Sequence, residues 1–192
     1  IGHTAIRYRG TIGGSIVHAD PSAELPAVAT ALDAEMTVTG PNGQRTIPAA
    51  EFFITFFMTS MEPDEMLTEV AFPIRAREKG TSVAEFARRH GDFAVAGVAI
   101  SIEANGGGRI DSARVCAFGV DDVPRRIDQA ESLLAGQAPT RELLAEAGAA
   151  TAGSVDPETD MHASGAYRQE MAGVLTRRGL EEALTEAGLD LA

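Results

Sequence analysis

Cysteine is nearly absent: Cys116 is the one thiol in 192 residues. That excludes an internal disulfide, and it excludes an iron-sulfur or structural zinc site built from cysteines of this chain. A reducing, cytoplasmic setting suits such a sequence. Cys116 lies in Ala113-Arg114-Val115-Cys116-Ala117-Phe118, which reads as a buried strand and makes it a small core residue rather than a reactive thiol. Positive charge is also scarce. Sixteen Lys and Arg stand against 28 Asp and Glu, a formal net charge of -12, and an acidic surface repels the phosphates of a nucleic acid. Arg88-Arg89 is a dipeptide, not a patch. Long apolar runs are missing: the stretch from Phe52 to Met58 is far too short to span a bilayer, and no transmembrane or signal segment is visible. The four histidines, His3, His18, His90 and His162, have no metal-ligand spacing, and neither a Gly-x-Ser-x-Gly element nor a partnered acid pair occurs. No catalytic residue and no metal site is assigned.

What remains is an ordinary globular composition, 44% hydrophobic and 23% charged in 20.1 kDa, enough for one large domain or two small ones. Its most informative stretch is Arg9-Gly10-Thr11-Ile12-Gly13-Gly14-Ser15. Two adjacent glycines allow φ > 0, so that successive N–H groups can converge on one anion. A helix starting at Ser15 adds its own free N–H groups and dipole. An ordinary turn explains a glycine pair equally well, but the Thr11 and Ser15 hydroxyls on either side suit a diphosphate. Asp20, before Pro21, and Glu24, before Leu25-Pro26, offer acceptors for sugar hydroxyls; the alternative for Asp20 is an N-cap with proline at the first helical position.

These residues, Ile6-Arg7-Tyr8-Arg9-Gly10-Thr11-Ile12-Gly13-Gly14-Ser15 with His18-Ala19-Asp20-Pro21 and Glu24-Leu25-Pro26, closely resemble the flavoprotein (medium) subunit of molybdenum hydroxylases, the family of carbon-monoxide dehydrogenase and xanthine dehydrogenase. The resemblance continues through Pro63-Asp64-Glu65-Met66-Leu67-Thr68-Glu69-Val70, Phe86-Ala87-Arg88-Arg89-His90-Gly91-Asp92-Phe93-Ala94 and His162-Ala163-Ser164-Gly165-Ala166-Tyr167-Arg168. It implies that Thr11, Ile12, Gly13, Gly14 and Ser15 hold the diphosphate of FAD. It further implies that Asp20 lies in the cofactor site, that Glu24 is a ribityl-binding acid and that Leu67 makes an apolar contact to the flavin. The implied function is an electron-transfer subunit that passes electrons from iron-sulfur centres through FAD to an external acceptor. Its implied partners are an iron-sulfur small subunit and a molybdenum-cofactor large subunit, the redox chemistry lying in the cofactors.

Two departures stand out. The family carries a second FAD motif of Ala-Gly-Gly type in an N-terminal subdomain; no equivalent occurs here, so the chain reads as truncated, with part of a flavin site. Some relatives place a lysine near the flavin just before the Arg-Arg pair, where this chain has Ala84-Glu85.

The rest of the chain supports an α+β fold: a partial FAD-binding α/β subdomain over 1–76, then, over 80–192, an antiparallel sheet packed on a helical layer. The charged, glycine-ended break Arg77-Glu78-Lys79-Gly80 marks the boundary. Within the first part the pattern predicts a helix over 25–34 with small residues that allow close approach, then a hairpin of 35–39 and 44–47 about Gly40-Pro41-Asn42-Gly43. An apolar helix or loop follows over 49–57, and a strand over 66–74. Phe52, Phe53, Phe56 and Phe57 serve the core or an interface, flavin stacking being the alternative. The second part predicts strands over 83–89, 95–103 and 109–120, the last two joined at Asn105-Gly106-Gly107-Gly108. Helices follow over 126–135, 140–152 and 164–187, the last capped by Ser164 with Tyr167, Met171, Val174 and Leu175 on one face. Arg88 and Asp92 either pair with each other or face the flavin. The rival function is a non-redox scaffold that docks partner subunits without binding flavin; a nucleotide-binding transferase lacks the basic residue it needs.

Overall fold

The computed structural model of the chain describes residues 1–74, 79–104 and 106–191. The break at Arg77-Glu78, with the boundary placed there, and Asn105 of the second turn lie outside the described residues.

The second half is an antiparallel meander of β6 (Lys79–Phe86), β7 (Ala96–Ala104), β8 (Ile110–Phe118) and the short β9 (Arg125–Arg126), in spatial order β6-β7-β8-β9. Residues 96–102 of β7 are buried without a break, which means that both faces of the sheet are covered. Period-2 alternation sorts them. Val98, Ile100, Ile102, Val115 and Ala117 join one cluster with Leu134, Leu144, Leu175, Leu180 and Leu184 of α5 (Asp128–Leu134), α6 (Arg141–Ser154) and α7 (Gly165–Glu186). On the opposite face Ala99, Cys116 and Phe118 meet Ala27 and Ala31, which come from α3 (Glu24–Ala31) in the first half of the chain. The helices therefore do not form a single layer. The small residues of α3 do allow close approach, and what they approach is the back of the second sheet.

Glycines set two of these contacts. Gly97 pairs with Phe118 across β7 and β8, and a Cβ there would run into the Phe118 ring. At Gly80 an added Cβ would collide with the carbonyl of Ala183 on α7. The same helix guards the exposed edge of β6: the Thr81 N–H and hydroxyl both donate to Glu186, and the Ser82 hydroxyl donates to Glu182 at 2.7 Å. A capped edge resists pairing with another chain.

The first half begins with α1 (Thr4–Arg7) and α2 (Ile12–His18), and after α3 has a sheet ordered β2-β1-β5, from β1 (Glu35–Gly40), β2 (Gly43–Pro48) and β5 (Met66–Ala71). The expected hairpin is present, with Gly40 opposite Gly43 and Gly43 at φ 108, a backbone that favours glycine. Residues 49–57 divide into α4 (Ala49–Phe52), β3 (Phe53–Thr55) and a turn into β4 (Met58–Thr59). Phe52 and Phe53 are buried, whereas Phe56 and Phe57 are 54% and 57% exposed, so the four phenylalanines split between core and surface. On α7 the expected face is partly corrected: Leu175 is buried, Tyr167 is 40% exposed, and the buried stripe runs through Arg168, Ala172, Thr176 and Gly179 instead.

Arg45 on β2 grips Glu65 in a bidentate pair, both distances 2.7 Å. That bond first, then the Glu62 N–H, lower the Glu65 carboxyl from 4.5 to about 2. A depressed carboxylate stabilises the fold above its unfolded pKa and loses that contribution as pH falls through the folded one. The stability difference between the parent and Glu65→Gln is therefore expected to be widest near neutrality and to close between pH 4.5 and about 2. Urea midpoints at several pH values measure it; a pH-independent difference would contradict the linkage.

Candidate functional site

The helix around the glycine pair starts three residues earlier than the sequence predicts. Thr11, extended at φ -124 and ψ 155, is the N-cap of α2, and its hydroxyl accepts from the Gly14 N–H at 2.9 Å. Gly13 and Gly14 thus occupy the first helical turn, and neither has positive φ. The expected left-handed glycine turn is replaced by a capped helix start, because a hydroxyl at N-cap satisfies the N3 donor. The Ser15 N–H bonds the Thr11 carbonyl, which leaves the N–H groups of Ile12 and Gly13 without intrahelical partners. Ile12 and Gly14 are exposed, Gly13 and Ser15 half-buried. An added Cβ at Gly14 would stand 2.8 Å from the Thr11 hydroxyl; one at Gly13 would make an ordinary 3.7 Å contact with Leu67 on β5. Thr11, Gly13, Gly14 and Leu67 are therefore brought together, with Ile16 below them at 0% exposure as their tie to the core.

The link from α2 to α3 carries Asp20, and Glu24 opens α3. Asp20 is not a helix cap: its carboxylate accepts from the Ser22 N–H at 2.8 Å and its carbonyl from Ala23, an Asx turn across Pro21. The cap of α3 is Ala23, which offers no side-chain bond, and Glu24 is the first helical residue. Its half-buried carboxylate lies 3.3 Å from the amino group of Ile1. Burial first, and then the Glu24 charge, raise the pKa of Glu85 on β6. His18 packs its ring against Phe57 at 5.1 Å, and Phe57 holds φ 54.

Asp92 lies 4.0 Å from the His3 Nε2, an ion pair only when that imidazole is protonated. Both arginines of the dipeptide open onto a groove of about 480 Å³ shared with His3, Phe93, His162 and Arg168. A second groove, about 430 Å³, adjoins it through Ser22, Asp160 and Arg168. Arg168, 7% exposed, is a feature that sequence reasoning did not single out. Its neighbour Asp160 accepts from the Ala163 and His162 N–H groups and from Arg168. Desolvation opposes these bonds, but together they outweigh it and hold the carboxyl at about 2. The signal available beforehand was an arginine on the apolar side of a long helix, a position that demands partners.

Cys116 is fully buried, and burial pushes its thiol up. Among the described residues no group of three or more His, Cys, Asp or Glu is arranged to hold a metal ion, and no helix is long and apolar enough to cross a membrane.

Comparisons with known proteins converge on the same stretches. Residues 1–75 match the FAD binding domain in molybdopterin dehydrogenase, and residues 81–183 match the CO dehydrogenase flavoprotein C-terminal domain. The chain is 37% identical over 187 residues to the 6-hydroxypseudooxynicotine dehydrogenase complex subunit alpha of Paenarthrobacter nicotinovorans, covering 97% of this chain and 63% of that protein. It is 34% identical to the carbon monoxide dehydrogenase medium chain of Hydrogenophaga pseudoflava over 93% of this chain and 62% of that one. A solved structure of that organism's carbon monoxide dehydrogenase, lacking the Mo-pyranopterin moiety of the molybdenum cofactor, superposes with a TM-score of 0.93 over 97% of this chain and 64% of that chain. The chain thus spans somewhat under two thirds of the length of these relatives.

Proposed function

The chain belongs to the carbon-monoxide-dehydrogenase-type flavoproteins, the FAD-binding medium subunits of molybdenum hydroxylases, and from that membership we propose that it is the FAD-binding electron-transfer part of a molybdenum-containing hydroxylase or dehydrogenase complex. The observation that carries the reading is the outward-facing start of α2, capped by Thr11 and free of side chains at Gly13 and Gly14. The N–H groups of Ile12 and Gly13, the helix dipole and the hydroxyls of Thr11 and Ser15 suit the FAD diphosphate. Leu67, packed beside Gly13, offers the flavin an apolar surface; Asp20 and Glu24 offer acceptors to its ribityl hydroxyls. Bound FAD would supply the redox chemistry, and the chain supplies position and charge. Residues 1–76 and 80–192 are the two regions of this subunit. Its partners are an iron-sulfur small subunit and a molybdenum-cofactor large subunit, the assembly is cytoplasmic, and electrons leave to an external acceptor.

Flavin titration of the intact subunit tests the reading. Glu24→Gln keeps the shape and removes the charge, so it is expected to weaken FAD by about 1.5 to 3 kcal/mol, roughly ten- to hundredfold. A Glu24 that merely faces water leaves the affinity unchanged, and a parent protein that never takes up FAD overturns the function. One observation favours a second reading, a non-redox docking module: Ile54, Phe56, Phe57 and Met58 are each more than half exposed on one hairpin, a run of apolar surface that suits a partner. Flavin content of the purified subunit separates the two.

A further inference from the structure

We propose that Arg168, on α7 and far in sequence from every residue assigned to the flavin, is a positioning residue for the flavin site. Through the loop that follows β8 it fixes the turn that carries Asp20 and leads into Glu24. The inference rests on the flavin-binding reading above and concerns how that site keeps its shape.

Arg168 lies one turn into α7. One terminal nitrogen of its guanidinium donates to two carbonyls, Val95 at 2.6 Å and Gly119 at 3.0 Å; the other donates to the Asp160 carboxylate at 2.8 Å. Its Nε is buried with no hydrogen-bond partner. A guanidinium that leaves one donor unsatisfied costs more than an apolar side chain of similar size. Bulk alone does not explain an arginine here; a planar fork that holds two carbonyls and a carboxylate at once does.

Gly119 is where that grip is passed on. It stands at φ 71, and its N–H donates to the Pro21 carbonyl at 2.8 Å. The carbonyl of one residue is therefore held by Arg168 while its N–H holds Pro21, the residue between Asp20 and Ser22. A side chain at Gly119 would meet the Ala94 carbonyl at 3.0 Å, so the loop has little room to shift on that side. Three residues on, Asp122 accepts from the Thr55 hydroxyl at 2.9 Å, a second tie from the same loop into the first half of the chain. The Asx turn at Asp20 is thus braced from outside by the second half of the chain, and Glu24 begins the helix that the turn releases. Acceptors for sugar hydroxyls work only when held in register with the diphosphate site, and small displacements of a positioned group carry large penalties.

The test uses the intact subunit and FAD itself. Arg168→Lys keeps the positive charge but replaces the planar fork, which reaches the carbonyls and the carboxylate from two nitrogens, with a single nitrogen. Asp160→Asn keeps both carbonyl bonds. The readings are the FAD dissociation constant, the visible circular dichroism of the bound flavin, and the far-ultraviolet spectrum and melt of the flavin-free protein. Arg168→Lys is expected to raise the dissociation constant about tenfold or more and to alter the flavin dichroism in molecules that remain folded, while Asp160→Asn raises it less than about threefold. An unchanged constant and unchanged dichroism per folded molecule in Arg168→Lys would overturn the proposal and reduce Arg168 to a structural role. If Arg168→Lys does not fold, Thr55→Val removes the second tie of the same loop and should move both flavin readings in the same direction; no movement overturns the proposal. A parent that binds no FAD defeats the function itself, whereas a parent that binds FAD with indifferent variants defeats the positioning role alone.

Discussion

Gly14→Val in the intact subunit is expected to fold and to lose its FAD. Gly14 is helical, so backbone strain is not the reason. Helix propensity alone would make a residue with a side chain the better choice there, by up to about 1 kcal/mol for alanine. The obstacle is local: a Cβ stands 2.8 Å from the Thr11 hydroxyl that caps the helix, and a β-branched side chain adds two further carbons in the same turn as the Ile12 and Gly13 N–H groups. Losing the cap costs about 1 kcal/mol, and losing access to the N–H groups costs the charge-assisted bonds themselves, about 1.5 to 3 kcal/mol each. The combined effect is on the order of a hundredfold or more in affinity. Visible absorption per folded molecule after gel filtration reads it directly. Parent-like flavin content in a folded Gly14→Val protein would remove the diphosphate from α2.

The second large effect falls on stability. Gly80→Ala is expected to destabilise the fold by about 3 kcal/mol or more, because the added methyl collides with the backbone of α7 at Ala183 and no rotamer change can relieve it. To make room, β6 and α7 must separate, which pulls on the Thr81–Glu186 and Ser82–Glu182 bonds on either side. Gly153→Ala is the contrast. It lies in α6 with nothing within 4 Å of an added Cβ, so the gain in helix propensity, about 0.5 to 1 kcal/mol, should stabilise. Urea unfolding of the three proteins measures both signs; equal midpoints for the parent and Gly80→Ala would show that the sheet and helix are more loosely joined than their geometry indicates.

Much of this architecture was legible locally. Asn42-Gly43 between alternating segments announced the first hairpin, and Ser164 announced the start of α7, where its hydroxyl accepts from the Tyr167 N–H. These are short-range features, decided by residues within one turn of each other. The start of α2 departs from the sequence expectation for a related reason: a glycine pair suggests a turn more strongly than it suggests a first helical turn, and Thr11 as its cap is recognisable only when the hydroxyl is counted three residues ahead of Gly14. Asp20 shows the same competition, since a carboxylate before proline serves an Asx turn as readily as a helix cap. What could not be read was contact at a distance. The small residues of α3 signalled close packing, but nothing in their order named Ala99, Cys116 and Phe118 as the surface they would meet. Arg168 takes its carbonyl partners from 73 and 49 residues away. Bonds to backbone carbonyls leave no trace in the identity of the residue that accepts them.

The family motif was readable as a pattern before it was readable as geometry. Thr11 stands beside Gly14 and Leu67 against Gly13, yet the stretch is a helix end rather than a loop. The Glu24 charge acts on Glu85, far from it in sequence, only once the chain is folded.

The sealed position of Cys116 carries a practical consequence. It is at 0% exposure between α3 and the sheet, its thiol held in the neutral form, and the sequence has no other cysteine. Toward thiol-directed reagents the folded chain therefore behaves as though it had none. A cysteine introduced at any exposed residue would be the sole attachment point for a spin or fluorescent label. Pairs of such labels across α2 and α7 could follow the spacing between the two halves of the molecule without the background chemistry that usually has to be engineered away first.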